Sequence, residues 1–148
     1  MRSAPVGSPS HGCETGARPA ATLIYDGDCG VCTRLSRTVT TTVRRRPEDF
    51  AVSAYQDVDD LAAVGLTAQA CDEALQWVAA DGRVSSAQDA VARVLLAGRP
   101  ALRPLGAVIL LPGVNALAGI VYRWVALNRH RLPGGTPACS LPAAQRPT

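Results

Sequence analysis

The stretch Ala21-Thr22-Leu23-Ile24-Tyr25-Asp26-Gly27-Asp28-Cys29-Gly30-Val31-Cys32 constrains the rest of the chain most. Its first five residues are apolar or β-branched and read as a short strand. Asp26-Gly27-Asp28 is turn chemistry, and a helix-compatible run begins at Gly30. A Cys-x-x-Cys at the start of a helix that follows a strand is the arrangement of a redox dithiol. The first turn of a helix offers unpaired N–H groups and a partial positive charge, and both favour thiolate over thiol. On this reading Cys29 is the nucleophile, and Cys32, on the same helical turn, is close enough to close a disulfide with it.

Composition sets the frame for that motif. A chain of 148 residues supports one domain with its own core. Its 47% hydrophobic and 18% charged content is that of a globular protein, and 4% aromatic content means a core of aliphatic residues and alanine. All 15 basic residues are Arg. The 12 carboxylates all fall between Glu14 and Asp89, which leaves residues 1–90 at −4 and residues 91–148 at +7. A basic C-terminal third suits an acidic partner, nucleic acid or a lipid surface. No aromatic or Gly-rich nucleic-acid motif accompanies it, so the expectation is a solvated basic face and no nucleic acid. Five cysteines, an odd number, do not make a secreted disulfide framework. The first 20 residues lack an apolar signal core, so a reducing, cytoplasmic setting is expected.

Three segments are expected: a disordered leader at 1–19 that holds His11 and Cys13, a folded domain at 20–132, and a flexible tail at 133–148 that holds Cys139. Within the domain a helix is predicted over 30–43, with Val31, Leu35, Val39 and Val43 along one face. The threonines of 38–42 weaken it, and Arg44-Arg45-Arg46-Pro47 ends it. Phe50, Val52 and Ala54 alternate as a second strand. A short helix over 58–64 stops at Gly65, and Thr67 caps a turn on which Cys71 packs as a small hydrophobe. Residues 75–80 and 83–85 flank Asp81-Gly82, a two-residue hairpin signal. Ser86-x-x-Asp89 reads as a capping box for a helix that buries Ala87, Ala90, Val91, Val94 and Leu95 and stops at Gly98. Residues 105–122 carry no charge, but Pro112-Gly113 and Asn115 interrupt them. Two helices of about 101–111 and 114–128 packed on a sheet fit better than a membrane span.

A βαβ start followed by a ββα finish is the thioredoxin-like α/β plan, here with two extra C-terminal helices. With these residues placed, the sequence resembles the DCC family of thiol-disulfide oxidoreductases, a thioredoxin-like group. The resemblance rests on Ile24-Tyr25-Asp26-Gly27-Asp28-Cys29-Gly30-Val31-Cys32 with the Arg-rich helix after it, on Asp81-Gly82-Arg83-Val84 and Asp89-Ala90, and on a C-terminal signature from Val121-Tyr122-Arg123-Trp124 to Arg131-Leu132. It implies that Cys29 and Cys32 are the redox pair and that Asp26 or Asp28 is the family's acidic residue. It also implies a disulfide-containing protein or small-molecule thiol as substrate, an external reductant, and neither cofactor nor metal. One departure stands out. Thioredoxins present substrate against a cis-proline before the third strand, and this chain has no Pro between Pro47 and Pro100, so docking beside Leu75 must differ.

The chemistry expected is attack of the Cys29 thiolate on a substrate disulfide, then resolution by Cys32. Asp26 and Asp28 raise a neighbouring thiol's pKa, or one of them takes the Cys32 proton. Turn formation and helix capping explain the same two residues. Two rival readings remain. Zinc needs four ligands, and Cys13, Cys71, Cys139, His11 and His130 are isolated from one another. A non-catalytic module would instead dock its basic helix 114–131, with Tyr122, Arg123 and Trp124, on a partner or a membrane. Cys139 is either an extra resolving thiol or an incidental thiol of the tail.

Overall fold

A computed structural model describes residues 21–133. The leader at 1–19, the tail and Cys139 therefore lie outside the described residues. Strand β1 (Ala21–Tyr25) occupies the predicted apolar run and alternates faces, with Ala21 and Leu23 to one side and Ile24 to the other. Helix α1 (Gly30–Thr38) follows, and its continuation Val39–Val43 is a π-helical turn. The threonines explain that widening. Thr38, Thr40 and Thr41 each donate a hydroxyl to a carbonyl one turn back, Thr38 to Arg34 and the other two to Arg37, competing with the i→i−4 ladder. The chain leaves the helix at Arg44 and enters β2 (Ala51–Ala54) after the buried Phe50.

Two 3-10 turns, Tyr55–Asp57 and Ala62–Val64, replace the single helix expected over 58–64. Gly65 still ends the second of them in the left-handed region. Thr67 accepts the Ala70 N–H at the start of α2 (Ala68–Glu73), and Cys71 is buried in the predicted manner. The hairpin β3 (Gln76–Ala79) to β4 (Val84–Ser86) forms with a different turn. Val78 pairs with Val84, the Ala79 N–H bonds the Arg83 carbonyl, and the Gly82 N–H bonds the Ala79 carbonyl, so the loop has three residues and not two. Gly82 takes φ +85° to close it, the reason a glycine follows Asp81.

The sheet order is β2-β1-β3-β4, with β1 and β2 parallel and the other pairs antiparallel. One face meets the end of the first helix and α3 (Ala87–Ala97) over Leu23, Phe50, Trp77, Ala90 and Val94, with Phe50 and Trp77 edge to face at 5.3 Å. The other face meets α2 and the 3-10 turns over Ile24, Tyr55, Leu66 and Cys71. This is the thioredoxin-like plan. Helices α4 (Arg103–Ile109) and α5 (Pro112–Asn128) complete the chain, with a 3-10 turn at Arg129–Arg131 after them.

Four local expectations change. The capping box does not form: Ser86 donates its hydroxyl to Gln76 Oε1, and Asp89 accepts from Asn115 Nδ2. Ala87 and Val91 are only half-buried, while Ala92 is buried in their place. Leu35 is 57% exposed, because the space beside it is a groove toward α5 and not the sheet. Finally, α4 and α5 pack on α3 instead of on the sheet.

Candidate active site

Parallel pairing of β1 and β2 brings their C-terminal ends to one edge of the sheet, and the dithiol is built there. The turn after β1 and the 3-10 turn after β2 are joined by Gln56, which accepts the Gly27 N–H at 3.0 Å and donates to Asp26 Oδ1 at 3.0 Å. A Cβ on Gly27 would stand 2.9 Å from that of Ala54, so glycine is what lets the two turns approach. Asp26 is buried, and its carboxylate also accepts the Asp28 N–H at 3.0 Å. Asp28 itself is exposed. Of the two acidic residues singled out in the sequence, Asp26 is the one that lines the cavity with Cys32.

Cys29 is the N-cap of α1, with extended backbone, and its Sγ accepts the Cys32 N–H at 3.5 Å. Thr33 ties its own hydroxyl to the Cys29 carbonyl at 3.0 Å, which fixes this first turn. The two cysteines come within 3.1 Å of each other, both as free thiols. Their environments differ. Cys29 has 0% exposure and packs with Val31 against Cys32 and Leu132. Cys32 is half-buried and lines a cavity of about 110 Å³ together with Asp26, Cys71, Tyr122 and Arg129.

The C-terminal helix supplies groups that sequence reasoning did not assign to the site. At the end of α5 the Arg129 guanidinium places Nη1 3.8 Å from Cys32 Sγ and donates from Nη2 to the Asp72 carbonyl at 2.9 Å. Tyr122 accepts the Leu75 N–H at 2.9 Å. That N–H lies just before β3, where a thioredoxin would present substrate, and here it is engaged by the phenol. The spacing of Tyr122 and Arg129, seven residues and so two turns of one helix, was the signal available for this pairing.

The electrostatics favour charge on Cys32. A hydrogen bond from Cys29 lowers its pKa below the ordinary thiol value; burial opposes this, the Arg129 cation assists, and the Asp26 charge opposes again. Burial raises the Cys71 thiol, and Asp26 raises it further, which suits an inert packed cysteine. Burial likewise keeps Tyr122 protonated, so it remains a neutral donor and acceptor on the cavity wall. The site is thus a pair of cysteines, the more open of which is the more readily ionised, beside one cation and one buried carboxyl group. Among the described residues no group of three or more His, Cys, Asp or Glu is gathered as a metal would require.

Comparison with known proteins agrees with this geometry. A family model, described as DCC1-like thiol-disulfide oxidoreductase, matches residues 23–135. No curated protein and no solved structure matches. The matched span runs from β1 through the dithiol and past Arg129, and on it we conclude that the chain belongs to the DCC1-like thiol-disulfide oxidoreductase family.

Proposed function

We propose that the protein exchanges disulfides through a mixed-disulfide intermediate on Cys29 and Cys32, and that Cys32 makes the first attack. The observation that carries this order is the contrast in burial: Cys29 is wholly buried, in a cluster with Val31 on which Leu132 packs, whereas Cys32 opens onto the cavity beside Arg129. The thiolate, not the thiol, is the nucleophile, and the Cys29 hydrogen bond and the Arg129 cation favour thiolate at Cys32. This reverses the order expected from the sequence, where the helix N-terminus alone pointed to Cys29.

In the proposed cycle the Cys32 thiolate attacks one sulfur of a substrate disulfide and expels the other as a thiolate. Cys29 then gives up its proton and attacks Cys32 Sγ, releasing the second substrate sulfur and leaving a Cys29–Cys32 disulfide. The buried Asp26 carboxylate is the group in the cavity wall suited to take the Cys29 proton. An external dithiol returns the protein to its starting state, so one substrate disulfide becomes two thiols for each dithiol consumed. Substrate is a protein disulfide or a small disulfide, and the occupied Leu75 N–H means it docks without the backbone pairing of a thioredoxin.

Trapping tests both parts. Cys29→Ala should accumulate a stable mixed disulfide at Cys32, and Cys32→Ala should accumulate little. The reverse result would restore Cys29 as the attacking thiol while keeping the dithiol function. Failure of the wild-type chain to form an internal disulfide with any oxidant, and to reduce any disulfide, would end the oxidoreductase reading.

A further inference from the structure

We propose that the outward face of α4 and α5 docks on an anionic lipid bilayer and lies in its surface. On α5 the side chains of Val114, Leu117, Ile120, Val121, Trp124 and Leu127 are all exposed. At 100° per residue they fall within one stripe, and Leu105 and Val108 on α4 and Leu111 at the start of α5 are exposed apolar residues as well. A solvated monomer rarely leaves apolar surface of this extent to water. The opposite side of α5 is pinned by polar contacts, Asn115 to Asp89, Tyr122 to Leu75 and Arg129 to Asp72, so the stripe lies on the outer half of the helix, its Val114, Leu117 and Val121 edge bordering the groove toward Leu35 and Val91.

Charge selects the occupant. Arg99 and Arg103 precede the uncharged run, Arg123 and Arg131 border its end, and all four are exposed. No carboxylate follows Asp89 anywhere in the chain. Two copies meeting through this face would bring those four cations together with Glu73 as the acid bordering it, whereas anionic headgroups neutralise them while acyl chains receive the stripe. Trp124 within the stripe is a residue type enriched at the bilayer–water interface. Among the described residues no single helix is long and apolar enough to cross a membrane. The pair Pro100–Ile109 and Pro112–Arg131 meets at 93°, and the inner side of α5 is tied to the dithiol site, which favours a surface-lying mode over a crossing one. This inference stands apart from the redox reading.

The chain has two tryptophans. Trp77 lies in the core at 5% exposure and Trp124 is 62% exposed, so fluorescence reports on the proposed face. The full chain is titrated with vesicles of equal parts phosphatidylglycerol and phosphatidylcholine, and with vesicles of phosphatidylcholine alone. Docking predicts a blue shift of Trp124 and its quenching by brominated lipid, stronger with the anionic vesicles and weakened by added salt. Arg103→Gln and Arg123→Gln should each weaken binding by about fivefold, and Leu117→Asp with Ile120→Asp should abolish it at unchanged circular dichroism. If that double variant fails to fold, lipid quenching in the wild-type chain still decides. Absence of binding to anionic vesicles overturns the proposal. So does a Trp124 emission already blue-shifted in a self-associated species by sedimentation, which would assign the face to a second copy. Equal binding to an acidic polypeptide with no dependence on Leu117 and Ile120 would assign it to an acidic protein partner and also overturn it.

Discussion

Helices α3 and α5 use their residues in opposite ways. Helix α3 has 11 residues and buries Ala90, Ala92, Val94 and Leu95, with Ala90 and Val94 in the core formed by Leu23, Phe50 and Trp77. Helix α5 has 17 residues, is the more apolar of the two, and buries none. What attaches it is polar: Asn115 on Asp89 and Gln88, Tyr122 on the Leu75 N–H, and Arg129 on Cys32 and the Asp72 carbonyl. Hydropathy thus reports what a helix contains and not which side it turns inward. In this protein the apolar helix reaches the active site through its few polar residues.

The contrast can be broken first at the core. Phe50→Ala should destabilise the fold by about 3–5 kcal/mol, the cost of removing a wholly buried aromatic that packs edge to face on Trp77. Denaturant melts of the reduced protein measure this. A much smaller loss would mean that the sheet core is not where stability resides.

Attachment of α5 is the next test. Asn115→Ala removes the donor to Asp89 and the acceptor for Gln88, and should cost about 1–3 kcal/mol by the same melts. Replacement of a neighbouring exposed alanine, Ala116, by serine should cost far less. Equal costs would mean that α5 is held by something other than its polar contacts.

Arg129→Gln should lower stability near neutral pH by about 1 kcal/mol through its bond to the Asp72 carbonyl, and it adds a pH signature. Cys32 has a lowered pKa in the folded state, first through the Cys29 hydrogen bond and then, against burial, through Arg129. A depressed pKa contributes stability that is fully present above the unfolded thiol value of about 8.5 and is lost as pH falls through the folded value. Removing Arg129 should therefore shrink the rise in stability toward alkaline pH and move the Cys32 alkylation profile upward. Cys29→Ala should move that profile further, because the Cys29 bond is the larger cause. An alkylation profile unchanged in Arg129→Gln would reduce Arg129 to a packing residue.

Local chemistry made much of this legible in the chain. The strand at Ala21–Tyr25, the Cys29-x-x-Cys32 helix start, the Thr67 cap and the Gly98 stop each rest on neighbours in sequence, and each stands where it was read. The local pattern misleads where a distant residue competes for a local group. Asp89 gave up the capping role to Asn115, and Ser86 turned to Gln76, 26 and 10 residues away respectively. The same holds at the site. Cys29 and Asp26 were found through the motif, but Gln56 and Arg129 reach them from 30 and 97 residues away, the latter measured to Cys32. Only the sheet order and the return of α5 bring them together, and neither is written in any one segment. Which cysteine lies open is hidden for the same reason, since Leu132 packs from far along the chain on the cluster that Cys29 forms with Val31.

The smallest effect tests the comparison most sharply. Trp124→Ala deletes one of the two tryptophans, and by residue type it belongs beside Trp77→Ala among the costly substitutions. Position says otherwise. Trp77 touches Leu23, Phe50 and Val94 in the core, whereas the Trp124 side chain stands in solvent on the stripe of α5. Its loss should change folding stability by no more than about 0.5 kcal/mol, the range of surface substitutions, against about 3–5 kcal/mol for Trp77. Paired denaturant melts of the two variants in detergent-free buffer make the measurement. A Trp124→Ala cost near that of Trp77→Ala would show that the apolar face of α5 is covered in solution. It would then count as core, and the division between a helix that packs by its apolar side and one that attaches by its polar side would fall.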